Sequence, residues 1–329
     1  MKLSDIGEER IIREILGLVF KRKPKLGYAY WGDDANLIKD LNLLLTCDSV
    51  SEETDMIPGM SWRDLGWKLA VSSISDIASK GGKPIAALVT LGLRPNILLD
   101  EVKEFYKGLE DACMEYGFEI LGGDTSASSK FNASIFMVGY APDNIPWRNN
   151  AKPGDLVCTT GEYGLTGLAY TLIFKLNKKI SELRDELKRA ILKPKARLEE
   201  GMIIAKYANA MIDSSDGLAK SLHEIAYASN KTIIIYEDKI PINKIVLEEA
   251  ERYNLNPLNL ALYGGEEYEL IFTVSKDMLK ELKRRVKVRV IGEVRKGESK
   301  VVMMLKDGRS IQVDVSKSWD PFRQYEWLA

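Results

Sequence analysis

Histidine and cysteine are scarce in this sequence. Its 329 residues include one histidine and three cysteines. A metal site built from several histidines is therefore excluded. A Ser/His/Asp triad would have to use His223, and no GxSxG turn supplies its nucleophile. Cys47, Cys113 and Cys158 lie far apart, without the paired spacing of a zinc site or a disulfide framework. His223 follows leucines at helical spacing, and we interpret it as a helix residue, packed or at the surface.

Excess charge and long apolar runs are also missing. The formal net charge is −1, which argues against a nucleic-acid-binding protein, because phosphate contacts need a basic surface. No run approaches the ~20 apolar residues of a membrane span, and the charged start has no apolar signal core. A cytoplasmic protein is expected. The phosphate loop GxxxxGK[ST] and the HRD and DFG motifs of protein kinases are absent as well.

The order of apolar runs predicts alternating helices and strands. Predicted helices cover 5–20, 62–80, 98–116, 164–176, 181–192, 196–208, 217–229, 245–253, 257–263 and 276–285. Predicted strands cover 42–47, 84–93, 118–123, 133–140, 155–161, 209–213, 231–237, 268–274, 287–294 and 300–305. The stretch APDNIPWRNNAKPGD, residues 141–155, is rich in Pro, Asn and Gly and predicts a domain boundary. The sequence therefore predicts two α/β domains, residues 1–145 and 146–329.

Asp76 is the most informative acidic residue. Within the helix predicted at 62–80 it shares one face with Leu65, Leu69 and Ser72, so that face looks inward. An unpaired carboxylate there would cost several kcal/mol, and the neighbouring positions offer serines rather than Lys or Arg. A bound metal ion is one solution. A hydrogen bond to a partner helix or to nearby backbone is the alternative.

Other acids follow the ends of predicted strands, where α/β proteins gather ligands. Asp48, Asp124 and Asp213 each follow or close a strand, and Asp34 lies in the turn of GDDANLI. Asp216 opens the next helix, where a helix cap is the alternative. Oxygen ligands without histidine or paired cysteine select hard cations, and Mg²⁺ completes its shell with water and phosphate oxygens. Several Mg²⁺ ions around a phosphate substrate would suit this set.

One glycine-rich segment lies between a predicted strand and a predicted helix. GEYGLTG, residues 161–167, has the position of a phosphate-binding loop but not the G-x-G-x-x-G spacing of a dinucleotide fold. Close packing of the strand against the helix is the alternative interpretation.

With these motifs in order, the chain resembles the thiamine-monophosphate kinases, whose superfamily includes aminoimidazole ribonucleotide synthetase and selenophosphate synthetase. The resemblance covers nearly the whole length. Its motifs are GDDANLI, DLGWKLAVSSISDIASKGGKP, LGGDTS, KPKARLEEG, MIDSSDGLAKSLHEI and GGEEYELIFTV. It implies an amino-terminal mixed sheet with helices that pairs across a homodimer, and a carboxy-terminal α/β sandwich. The first domain would bind ATP and Mg²⁺, and the second would complete the nucleotide and substrate sites.

The resemblance also implies site residues. The magnesium ligands would be Asp34, Thr46, Cys47, Asp48, Asp76, Asp124, Asp213 and Asp216, with Cys47 contributing its backbone carbonyl. The ATP contacts would be Tyr106, Gly123, Asp124, Arg148 and Ser215. The alternatives are a core role for Tyr106 and a solvated linker position for Arg148. The substrate contacts would be Asp55, Glu266 and Trp319, and the Trp319 ring would lie against a cationic thiazolium.

The implied reaction moves the γ-phosphoryl group of ATP to thiamine monophosphate, with Mg²⁺ and without a catalytic base or a phosphoenzyme. The chain departs from the family at Asp55, where members commonly carry His. It also departs at Glu267, which stands in place of Asp, and at Cys47, which stands in place of a hydroxyl residue. Two alternatives remain. One is a related ATP-dependent synthetase with another acceptor, and the other is a non-catalytic sensor of nucleotide or metal.

Overall fold

The structure is a computed structural model that describes residues 32–319, together with residues 8, 10–12, 14, 15, 27 and 28. The helix predicted at 5–20 lies mostly outside the described residues. Within the described part of the chain, no helix is long and apolar enough to span a membrane.

Among the described residues, the first sheet has six strands in the order β1-β2-β3-β6-β4-β5. They are β1 Gly27–Tyr28, β2 Asn36–Ile38, β3 Leu43–Ser51, β4 Lys83–Leu93, β5 Glu119–Ala127 and β6 Asn132–Tyr140. Only β4 and β5 pair in parallel, and the other neighbours are antiparallel. The sheet is mixed, as the sequence analysis predicts for the amino-terminal domain.

Two helices cover one face of this sheet: α1 Trp62–Ser79 and α2 Leu99–Tyr116. Helix α1 begins at a capping box in which Ser61 and Asp64 bond to each other's backbone N–H groups. The helices touch closely, because a Cβ on Gly66 would overlap the Phe105 carbonyl. The apolar face predicted for α1 is buried, and Leu65, Leu69 and Ile74 on this helix have no solvent exposure. The opposite face of the sheet is not covered by any described element of the chain.

The second sheet has seven strands in the order β13-β12-β9-β11-β7-β10-β8. They are β7 Leu156–Thr159, β8 Ala210–Asp213, β9 Thr232–Tyr236, β10 Leu270–Val274, β11 Arg289–Arg295, β12 Lys300–Met304 and β13 Ser310–Gln312. Its helices are α3 Leu165–Tyr170, α4 Asp185–Leu192, α5 Leu198–Ile204, α6 Leu218–Ser229, α7 Lys244–Tyr253, α8 Pro257–Tyr263 and α9 Lys276–Leu282. Helix α1 also packs against α5 and β8, so it joins the two sheets.

The predicted helices between 62 and 285 are confirmed; the one predicted at 276–285 ends at Leu282, and three others differ more. The helix predicted at 164–176 is α-helical only in α3 and continues as a π-helix over Thr171–Lys175. The segment predicted at 181–192 begins with a 3-10 turn, and the one predicted at 196–208 is shorter. Strands β1, β2 and β13 were not predicted, because two or three residues carry too little periodicity to be distinguished from a loop.

Candidate active site

Three of the predicted metal ligands converge where the two sheets meet. One carboxylate oxygen from each of Asp34, Asp76 and Asp213 lies within 4.8 Å of the other two. Asp34 comes from the turn before β2, Asp76 from the last turns of α1, and Asp213 from the end of β8. They are therefore held by a loop, a helix and a strand from both halves of the chain. The sequence separation between Asp34 and Asp213 makes this a purely tertiary arrangement.

Serines of helix α1 hold the carboxylates in place. Ser73 donates a hydrogen bond to Asp48 Oδ2, Ser75 to Asp213 Oδ2 and Ser79 to Asp34 Oδ2, each at 2.6 Å. The SSISDIAS segment is thus a row of hydroxyl donors as well as the source of Asp76. Sequence reasoning noticed these serines only as uncharged neighbours. Their alternation with buried apolar residues in the helix was the available signal for this role.

Strand β3 presents two of its predicted ligands to this cluster and turns one away. Alternate residues of a strand point to opposite faces. Asp48 pairs with Ile135 and Thr46 with Met137, and both partners are buried under the helices. The Thr46 hydroxyl accordingly donates a hydrogen bond of 2.5 Å to Asp76 Oδ2. Cys47 instead pairs with exposed Phe136, so its thiol lies on the outer face of the sheet. Only its backbone remains on the side of the cluster.

Two cations balance part of the negative charge. The buried Lys80 ammonium lies 2.6 Å from Asp33 and 2.9 Å from Asp34, and it donates 2.7 Å to the Met211 carbonyl. Arg148 is paired with Asp34, and its backbone N–H donates to Asp33. Lys80, one helical turn after Asp76 at the end of α1, was not among the predicted site residues, and it pairs with Asp33 and Asp34. Arg148 is also no solvated linker residue, since its side chain is largely buried.

The electrostatics show that the cluster still lacks positive charge. Burial raises the pKa of Asp76 well above its usual value, with further contributions from Asp48, Asp213 and Asp34. Burial likewise raises the pKa of Asp213 to about 8, and it also raises the pKa of Asp48. For Asp34 burial works in the same direction, but Arg148 and Lys80 outweigh it and lower the pKa to about 2. An additional cation beside Asp48, Asp76 and Asp213 would favour their ionised forms.

The donor set fits a hard divalent cation. Its atoms are carboxylate and hydroxyl oxygens, the ligands that Mg²⁺ prefers. Asp213 Oδ1 is buried and has no hydrogen-bond partner, so a carboxylate oxygen is left over at the centre of the cluster. An oxygen of this kind is costly to bury without a bonding partner. A metal ion would satisfy it without any rearrangement of β8.

A cavity of about 210 Å³ begins beside the cluster and lies between the two domains. Six predicted site residues line it: Asp48, Asp55, Ser215, Asp216, Glu266 and Trp319. Of these, Asp216 pairs with Lys220 at 2.7 Å. Its alternative role as a helix cap is wrong, because Gly217 holds the cap position of α6 without a side-chain bond. We refer to this space, which the structure assembles from both halves of the chain, as the acceptor cavity.

Glu266 occupies a conformationally demanding loop. Its φ is +61° and that of Tyr268 is +51°, a region that costs non-glycine residues of order 1 kcal/mol or more. The loop is held by backbone bonds from Glu266 to the Ser215 carbonyl and from Tyr268 to the Ser214 carbonyl. Since Ser214 directly follows Asp213, the same short segment positions both a cluster carboxylate and the cavity wall.

Sequence reasoning missed two residues of the acceptor cavity. Lys68 lies on α1, is 4% exposed, and its ammonium is 2.9 Å from Glu266 Oε2. Tyr170, at the end of α3, donates its hydroxyl to the same Glu266 oxygen. The only available signal for Lys68 was its place on the buried face of α1, two turns before Asp76. Asp55 lies nearby and accepts bonds from the Ser51 N–H and from Thr54 Oγ1.

Three predicted nucleotide contacts lie apart from the cluster within one protomer. Asp48, Ile135, Val89 and Gly123 form one row across β3, β6, β4 and β5. Three strand spacings of ~4.8 Å therefore separate Asp48 from Gly123, about 14 Å in all. Asp124 follows Gly123 and points to the opposite, exposed face. Tyr106 lines a groove between α2 and β5 and is 38% exposed, so it is no core residue.

The glycine-rich segment 161–167 contacts a carboxylate of this same chain. The N–H groups of Gly164 and Thr166, at the start of α3, both donate to Glu267 Oε1. Burial raises the pKa of Glu267 to about 7. The donors that a phosphate would use are therefore already bonded, and the interpretation as close packing is the better one.

His223 lies on α6 with its ring stacked on Tyr227, as expected for a helix residue.

Known proteins share this architecture over nearly the whole chain. Two family models match: the amino-terminal domain of AIR synthase related proteins at residues 32–141 and the carboxy-terminal domain at residues 152–305. The thiamine-monophosphate kinase of Pyrococcus horikoshii is 38% identical over 81% of this chain and 84% of its own. The thiamine-monophosphate kinase of Aquifex aeolicus is 31% identical over 98% of this chain and its own full length.

Solved structures agree with the sequence comparisons. The structure described as AaThiL complexed with AMPPCP and TMP superposes with a TM-score of 0.85 at 31% identity, covering 98% of this chain and 99% of the other. A HypE hydrogenase maturation protein, at 18% identity and a TM-score of 0.68, shares the fold alone. The fold is that of an AIR synthase related protein with two such domains. Within that class, the chain belongs to the thiamine-monophosphate kinase family.

Proposed function

We propose that this chain transfers the γ-phosphoryl group of ATP to thiamine monophosphate, giving thiamine diphosphate and ADP. One observation carries the proposal: a buried cluster of carboxylates lies at one end of a cavity whose other end is lined by acids and aromatic rings. The family relatives carry this activity in their names, and one solved relative is described with AMPPCP and TMP.

The acceptor would lie along helix α1. Asp48, which Ser73 holds, marks the end of the cavity next to the cluster, and Lys68 marks the far end. Five residues of helix separate Ser73 from Lys68, a rise of roughly 7 to 8 Å. That length suits the span from a phosphate group to the thiazolium ring. The phosphate would therefore face the cluster, and the cationic ring would face Asp55, Glu266 and Trp319.

The chemistry needs no general base. A phosphate monoester has a second pKa of about 6, so the attacking oxygen is already ionised near neutral pH. The lone histidine, His223, does not line the acceptor cavity. The task of the protein is to hold two polyanions in line while charge on the transferred group is neutralised. Mg²⁺ bound at Asp34, Asp48, Asp76 and Asp213, with Thr46, Cys47 and Asp216 nearby, would supply that neutralisation.

The chain's own cations prepare the site for this charge. Lys80 and Arg148 hold the loop Gly32–Asp34 against the end of β8, so the acidic turn is fixed before a substrate arrives. Arg148 would in addition face the nucleotide phosphates, and Ser215 would contact the nucleotide from the cavity wall. The two domains, 1–145 and 146–329, would then share the work, with ATP and metal held by the first and the site completed by the second.

The remaining nucleotide contacts are best explained by a homodimer. Asp124 and Gly123 lie about 14 Å from Asp48 in one protomer, too far to share its ligands. The outer face of the same sheet exposes large apolar side chains: Leu88, Leu121, Phe136 and Tyr140. An apolar patch of this kind is typical of a protein interface. Pairing of two such faces would bring Asp124, Gly123 and Tyr106 of a second copy toward the cluster.

One experiment tests the proposal directly. Purified protein is incubated with ATP and Mg²⁺ and with either thiamine monophosphate or free thiamine, and thiamine diphosphate and ADP are measured together. We expect equal amounts of both products with thiamine monophosphate and neither with thiamine. ADP release without thiamine diphosphate, or binding of ATP without turnover, would refute the proposal. A cytoplasmic location is proposed with it, because the reaction consumes ATP.

A further inference from the structure

We propose that Lys68 is a positioning residue that sets the charge specificity of the acceptor cavity by holding Glu266 on the cavity side of its loop. The inference rests on the proposed function and deepens it, because it concerns how a singly charged cationic ring is selected. It starts from an ion pair between the two domains: Lys68 belongs to helix α1, and Glu266 belongs to the loop before β10.

The cavity has two carboxylates at its ring end and one cation to offset them. Lys68 is the one Lys or Arg side chain among the described residues that line it. Glu266 and Asp55 both act electrostatically on this region, since Glu266 raises and Lys68 lowers the pKa of Asp55, after the larger effect of burial. A Glu266 carboxylate held at this end of the cavity is the group that the fixed positive charge of a thiazolium ring would face.

The Glu266 carboxylate could lie on either side of its loop. Glu266 lines both the acceptor cavity and a larger open cleft of about 650 Å³ on the other side of the loop. That cleft is lined by several cations, including Arg189, Lys193 and Lys287. A carboxylate released from the cavity side would find positive charge and solvent there. Glu266 can therefore pair either with Lys68 in the acceptor cavity or with the cations of the cleft, and the ion pair with Lys68 keeps it in the cavity.

The contacts on the cavity side explain why Lys68 prevails in the intact protein. Its ammonium is 2.9 Å from Glu266 Oε2 and donates 3.4 Å to the Tyr170 hydroxyl. Tyr170 in turn donates to the same Glu266 oxygen, so three groups form a closed triangle. Lys68 is 4% exposed and the Glu266 side chain 26%, so loss of Glu266 from this side would leave the Lys68 ammonium buried without its carboxylate partner, which is costly. Without Lys68, the Tyr170 hydroxyl alone would hold the carboxylate.

The test compares two acceptor probes that differ in ring charge. One is the phosphorylated hydroxyethylthiazole half of thiamine monophosphate, whose ring is uncharged, and the other is its N-methylated form, whose ring carries a fixed positive charge. Dissociation constants for both are measured on the wild-type protein, on the Lys68→Met, Lys68→Arg and Glu266→Gln variants, and on the double variant that combines Lys68→Met with Glu266→Gln. Lys244→Met, an exposed lysine on α7, is the matched control.

We expect the wild-type protein and Lys244→Met to bind the charged probe more tightly than the uncharged one. Lys68→Met and Glu266→Gln should each lose about tenfold or more of that preference, and the double variant should lose no more than either single variant. With the full acceptor, Lys68→Met should raise the KM for thiamine monophosphate while changing the KM for ATP little. Lys68→Arg should restore most of the preference, because it keeps the positive charge.

The inference is overturned if Lys68→Met keeps the preference for the charged probe, or if the losses in the double variant add. Tighter binding of the charged probe by Lys68→Met would also overturn it, since Lys68 would then compete with the ligand for Glu266. Should Lys68→Met fail to fold, Lys68→Gln and Glu266→Gln carry the same comparison. If the wild-type protein makes no thiamine diphosphate, the proposed function fails, whereas failure of the Lys68 variants alone overturns only this inference.

Discussion

Ser75 donates a hydrogen bond of 2.6 Å to Asp213, which lies 138 positions further along the chain. Ser75 belongs to the helix that covers the first sheet, and Asp213 ends a strand of the second. Both residues are buried, and the other oxygen of Asp213 has no partner. The candidate metal site is therefore also the junction between the domains. Any change in the charge of the cluster is expected to alter both catalysis and the stability of that junction.

Replacement of Asp76 separates these two effects. Asp76→Asn removes a proposed metal ligand and one of several repelling carboxylates, so we expect kcat to fall on the order of 10³-fold, as for other lost electrostatic stabilisers. In EDTA the variant should be at least as stable as the wild-type protein, because its neutral amide no longer repels Asp48 and Asp213. Steady-state kinetics and thermal unfolding measure the two. Unchanged activity would contradict a ligand role for Asp76.

The metal-free protein should lose stability as pH rises toward 8. Burial raises the folded-state pKa of Asp213 to about 8 and that of Asp76 well above its usual value. A raised folded-state pKa means that the folded protein binds more protons, so the stabilisation is complete below the unfolded pKa of about 4 and is lost as pH rises through the folded one. We expect the free energy of unfolding in EDTA to fall between about pH 5 and pH 8.

Urea unfolding at a series of pH values measures this slope. Asp213→Asn removes the titrating group and should flatten the slope, and Mg²⁺ should flatten it in the wild-type protein by stabilising the ionised carboxylates. Asp34 has the opposite effect on the pH dependence of stability. Its folded-state pKa is lowered to about 2, so the stability it contributes is lost only in strong acid, well below this pH range. Equal slopes in the wild-type protein and in Asp213→Asn would show that Asp213 does not titrate in this range.

Lys80 should be indispensable for the stability of the acidic turn. Lys80→Met leaves Asp33 and Asp34 without their ammonium partner and the Met211 carbonyl without its donor. Removing one partner of a buried pair typically costs about 3–5 kcal/mol. Urea unfolding should report a loss of this size, and exposed Lys276→Met provides the control. A loss below about 1 kcal/mol would mean that Arg148 alone holds the turn, by the same measure of pair strength.

The outer face of the first sheet should hold two copies together. Phe136→Asp places a charge at the centre of the exposed apolar face and should convert a dimer into monomers without activity. Sedimentation analysis measures the change in mass. Met278→Asp, on an exposed apolar residue of α9, is the control and should leave the dimer intact. A wild-type protein that sediments as a monomer would contradict the proposed pairing.

A mixing experiment tests whether Asp124 acts from the second copy. Asp76→Asn and Asp124→Asn are each expected to be inactive alone. If Asp124 completes the site of its neighbour, a heterodimer of the two variants has one intact site, and random re-pairing should restore about a quarter of the wild-type activity. If Asp124 acted within its own protomer, every heterodimer site would still lack one ligand. No recovery after verified exchange of subunits would therefore exclude the arrangement.

Periodicity in the sequence was enough to place the helix that carries the site. The prediction of 62–80 matches α1 within one residue at its end, and the leucine face that points Asp76 inward is buried as expected. Periodicity did not predict that Lys80 is buried, because a lysine at the end of a helix is normally solvated. Lys80 is buried only because the turn with Asp33 and Asp34 folds over it. Periodicity also passed over Lys68, whose partner lies almost two hundred residues away.

What the sequence by itself determined is therefore local: which segments become helices and strands, which acids end strands, and which residue types are available for chemistry. These follow from side-chain spacing and from the chemistry of single residues. The tertiary structure decided which of those acids meet. Asp34, Asp76 and Asp213 converge, while Asp124 lies on the far face of its sheet, because strand order and the alternation of side chains across a sheet depend on pairing between distant segments.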